Sequence, residues 1–87
     1  MNIDKLNDVP RAQAAQTTFG ILDQFDRQKV RPEMIAASTA CLMMLVARRY
    51  GVSPQKLWEV ANNLIHDADK KQVPEFAGVA RYLREEA

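Results

Sequence analysis

Residues 32–50 read PEMIAASTACLMMLVARRY, and this stretch decides the fold. Pro32 suits the first position of a helix, where its missing N–H is not needed and its fixed φ fits. Glu33 follows in the first turn and Arg48 and Arg49 stand in the last, so each charge complements the helix dipole. Gly51 closes the segment at a position suited to a left-handed C-cap. Between Met34 and Val46 the residues are apolar or small nearly all round. Such a helix is usually buried on several sides, so it is expected to be the centre of the fold. A chain of 87 residues has few neighbours with which to cover it.

Toward the N-terminus, Asp26 to Arg31 is polar and reads as a loop. Before it, Pro10 to about Arg27 carries Ala15, Phe19, Leu22 and Phe25 at helical spacing. Asp8 is expected to cap this helix, and Gly20 in its middle marks either a close crossing or a tolerated glycine. Toward the C-terminus, Ser53-Pro54 is the clearest helix start, a capping hydroxyl followed by proline. Leu57, Val60, Ala61, Leu64 and Ala68 form one stripe, widened by Trp58 and Ile65. Asp67 to Gln72 reads as a loop or frayed end. Pro74 opens a short fourth helix with Phe76, Val79, Ala80 and Leu83 on one face. No alternating run bounded by turn signals points to a strand. The expectation is an all-α compact bundle of three main helices plus a short C-terminal helix. It forms a single domain over 1–87, of which 1–9 is the part that could be flexible.

Charge narrows the function. The formal net charge is +1, which gives no general attraction to nucleic acid or to an anionic membrane. The lone Cys41 excludes an intramolecular disulfide. With no export signal at the start, this points to the cytoplasm. The longest apolar stretch, Ala36 to Ala47, includes Ser38 and Thr39 and falls short of the roughly 20 residues that span a bilayer.

Catalytic chemistry finds little to work with. Cys41 lies in the most apolar helix and is expected to be a small core residue. His66 ends the third helix and reads as a surface or capping residue. One histidine with no thiol nearby does not build a usual zinc site. Asp23 and Asp26 could share a helix face, as inert surface carboxylates commonly do. No glycine-rich phosphate loop is present. No catalytic, cofactor-binding or metal-binding residue is assigned, and the chain reads as a non-enzyme.

Binding is the remaining class. Methionine adapts to irregular partners, and aromatic and methionine side chains are enriched at interfaces. Met34, Met43, Met44 and Trp58 are therefore candidate anchors of a protein interface. Ala36, Ala37, Ser38, Thr39 and Ala40 are small and would admit a second helix closely, in the same subunit or another. The leading expectation is a self-associating protein-interaction module, most simply a homodimer.

The competing signal is VARRYGVSPQKLWEV at residues 46–60, which resembles a helix-turn-helix. Ala47 stands four residues before Gly51, an apolar residue follows the glycine, and Leu57 and Val60 recur where a second helix would pack. The resemblance implies a small DNA-binding transcriptional regulator. Ser53, Gln55 and Lys56, together with Glu59, would then face base edges, with Arg48 and Arg49 on phosphates. Trp58 and Glu59 fit a DNA-reading face poorly, and basic residues around the turn are few. The whole chain, with its close PEFAGVARYLR at residues 74–84, is also similar to small accessory proteins encoded by bacteriophages. That likeness implies binding to a host protein and transfers no site residue.

Overall fold

The computed structural model describes residues 2–86; Met1 and Ala87, the two ends of the expected 1–87 domain, lie outside the described residues. Five helices follow in order: α1 (Ile3–Asn7), α2 (Arg11–Arg27), α3 (Pro32–Tyr50), α4 (Pro54–Ile65) and α5 (Pro74–Glu86). The class is all-α, as the periodicity requires, and no described residue belongs to a strand. Two lengths differ from expectation. The first residues contain a short helix, α1, capped by the Asn2 side chain, which accepts the Asp4 N–H at 2.8 Å. The terminal helix is 13 residues, one longer than α4.

Local chemistry sets the boundaries. Ser53 caps α4, its hydroxyl accepting the Lys56 N–H at 3.2 Å. Gly51 closes α3 at φ 68°, and the Val52 N–H reaches back to the Ala47 carbonyl at 3.0 Å. The end of α2 is built the same way without a glycine. Lys29 sits at φ 54°, while the Val30 N–H bonds the Phe25 carbonyl and the Lys29 N–H that of Asp26. Asp8 does not cap α2. It ends α1, where its N–H donates to the Asp4 carbonyl at 3.1 Å, and Pro10 precedes α2 without a side-chain cap.

The core lies between α2 and α5, not around α3. Ala15 of α2, Phe76 and Val79 of α5, and Val73 just before α5 are buried together, with Ala14, Leu22, Leu64 and Ile65 packed against them. Phe19 and Tyr82 extend the α2–α5 contact edge to face, ring centroids 4.8 Å apart. A second, smaller buried group, Ala47, Val52 and Val60, sits at the α3–α4 corner. Residues 67–72 are more than a frayed end. Residues Ile65 and Val73 pair through a 2.8 Å hydrogen bond, and Asp67 Oδ1 accepts the N–H groups of Asp69 and Lys71, both at 2.9 Å. This turn brings α5 back onto α2.

The expectation that α3 is central is therefore overturned. Its only buried residue is Ala47, in the last full turn. Arriving after a 111° bend, α4 covers that end alone. The physical reason is pairing: Phe76 and Val79 of α5, with Val73 just before it, bury themselves against the small Ala15 of α2, and this contact leaves most of α3 without a covering element.

Candidate interaction surface

Most large side chains of α3 outside the corner are open to solvent. Met34 is 53% exposed, Leu42 50%, Leu45 60% and Met44 39%. Ile35, Ser38, Met43 and Val46 are half-buried. Trp58 on α4 is 62% exposed, the largest value among the exposed large hydrophobic residues of the chain. Three of the four candidate anchors, Met34, Met44 and Trp58, thus stand on the surface, while Met43 shares the half-buried side with Val46. Leu42 and Leu45 were not singled out by sequence. Their burial depends on which face of α3 meets the rest of the chain, and an all-round apolar helix does not encode that face.

Cys41 is exposed, contrary to its expected place in the core. It lies on the side of α3 that no other helix covers. Ala36, Ala37, Thr39 and Ala40 are exposed as well, and Ser38 is half-buried.

The helix-turn-helix candidates lie at the opposite end. A three-residue turn, Gly51 to Ser53, joins α3 to α4, and the bend of 111° falls in the range of such motifs. Ser53 spends its hydroxyl on the cap, and Lys56 pairs with Glu59 at 3.3 Å. The Arg49 guanidinium lies over the Tyr50 ring, 5.3 Å from its centroid. Arg48 and Gln55 are exposed. The corner thus brings Arg48, Arg49, Ser53, Gln55 and Lys56 into one neighbourhood, with part of its charge internally engaged.

The titratable residues weighed for catalysis do not assemble. His66 is the C-cap of α4: its main-chain N–H and its ring Nδ1 both lie near the Asn62 carbonyl, at 3.0 and 3.1 Å. Neighbouring Asp67 is engaged in the turn described above. Asp23 pairs with Arg27 at 2.8 Å. Among the described residues, no three His, Cys, Asp or Glu side chains come together as a metal ion would need. No single described helix is long and apolar enough to cross a membrane.

No family model matches the chain, and no curated protein or solved structure is significantly similar to it. The surface itself carries the functional reading.

Proposed function

We propose that this protein is a non-enzymatic cytoplasmic interaction module that works as a self-associated dimer, with the uncovered face of α3 as the contact. The observation that carries this reading is area. A monomeric chain of this mass exposes about 5200 Å² when folded, whereas this one exposes 6681 Å². The surplus is about 1500 Å² per chain, against about 800 Å² per partner in a standard interface. Leu42, Leu45, Met34 and Trp58 supply apolar side chains of the kind a buried interface centre uses. Burying a leucine or methionine is worth about 1.5–3 kcal/mol, which is a large supplement for a fold whose buried core is this small.

Light scattering coupled to gel filtration, under reducing conditions and at tens of micromolar protein, tests the reading. Twice the chain mass is expected. The host protein implied by the likeness to phage accessory proteins is the competing occupant of the same face, and a chain that stays monomeric at that concentration favours it.

The second reading, a helix-turn-helix DNA-binding protein, is favoured by one observation: the three-residue glycine turn with its 111° bend. The Lys56–Glu59 pair and the exposed Trp58 weigh against it. Fluorescence anisotropy of a labelled mixed-sequence duplex decides it. Binding at low salt that falls steeply as salt rises supports DNA recognition.

A further inference from the structure

We draw no further inference here: the strongest candidate, the exposed apolar face of α3 from Met34 to Leu45, belongs to the interaction surface already described, and nothing in the structure shows what covers it.

Discussion

The Arg11 Nη2 donates to the main-chain oxygen of Asn63 at 2.7 Å, joining the first turn of α2 to the last turn of α4. The same guanidinium reaches the Leu64 carbonyl through Nε at 3.1 Å and that of His66 through Nη2 at 3.3 Å. These oxygens belong to the group that a helix C-terminus leaves without intrahelical donors. A cation there also meets the negative end of the helix dipole. Arg11 thus acts as a remote cap that ties α4 to the α2–α5 core.

Arg11→Ala is accordingly expected to destabilise the fold by about 1–2 kcal/mol. Urea titration followed by circular dichroism measures it. Arg11→Lys should recover only part of the loss, because an ammonium lacks the planar fork that serves several carbonyls at once. An unchanged midpoint in Arg11→Ala would show that water satisfies these oxygens equally well.

Helix ends offer a pair of opposite predictions. Gly51 has φ 68°, and a Cβ built there meets nothing within 4 Å. Gly51→Ala should still cost about 1 kcal/mol, purely for the left-handed backbone. Lys29 holds an equivalent backbone at φ 54° with a side chain present. Lys29→Gly should therefore raise stability by up to about 1 kcal/mol, with the loss of chain entropy reducing the gain. Thermal melts of both variants check the signs.

Gly20 lies mid-helix in α2, and a Cβ there also meets nothing within 4 Å. It marks no close crossing. Gly20→Ala is expected to stabilise the protein by about 0.5–1 kcal/mol. A loss of stability would mean that some partner approaches α2 at this point.

Surface and core are expected to separate cleanly under substitution. Phe76→Ala, in the buried cluster, should cost about 3–5 kcal/mol and leave a chain this small largely unfolded. Leu45→Asp, at a side chain of α3 that is 60% exposed, should keep the helical circular dichroism spectrum and, on the proposed dimer reading, yield a monomer by light scattering. If Leu45→Asp unfolds the chain instead, folding and association are one event.

The two function readings differ at the corner. On the interaction reading, Lys56→Ala, at a residue of α4 away from the α3 face, leaves self-association unchanged by light scattering. On the DNA reading Arg48→Ala joins it as a test, and each should weaken duplex binding and reduce its salt slope by about one.

Most helix boundaries were legible because they rest on single residues with strong local rules. Pro32, Ser53-Pro54 and Pro74 open helices, and Gly51 closes one, where sequence places them. The small α1 was not legible: Ile3–Asn7 has too few residues for a periodic signal. Asp8 misled because a capping residue and a terminating one look alike when two helices follow closely. The chemistry of Met34, Met44 and Trp58 marks them as anchors, and they are exposed, but it does not distinguish Leu42 and Leu45, and it places Cys41 in the core although the residue is exposed. That error has one source. Apolarity says that a residue gains by leaving water, and not which neighbour will cover it.

The sequence by itself determined the all-helical class, the order of the main helices and the caps that delimit them, because those depend on interactions within a few residues. Tertiary structure alone decided which helices form the core. Phe76 and Val79 of α5 close on Ala15 of α2 only because the turn at Asp67 and the Arg11 bridge to α4 bring distant segments together. That choice leaves α3, the most apolar helix, on the outside, and long-range packing rather than local propensity thereby turns a presumed core element into a surface.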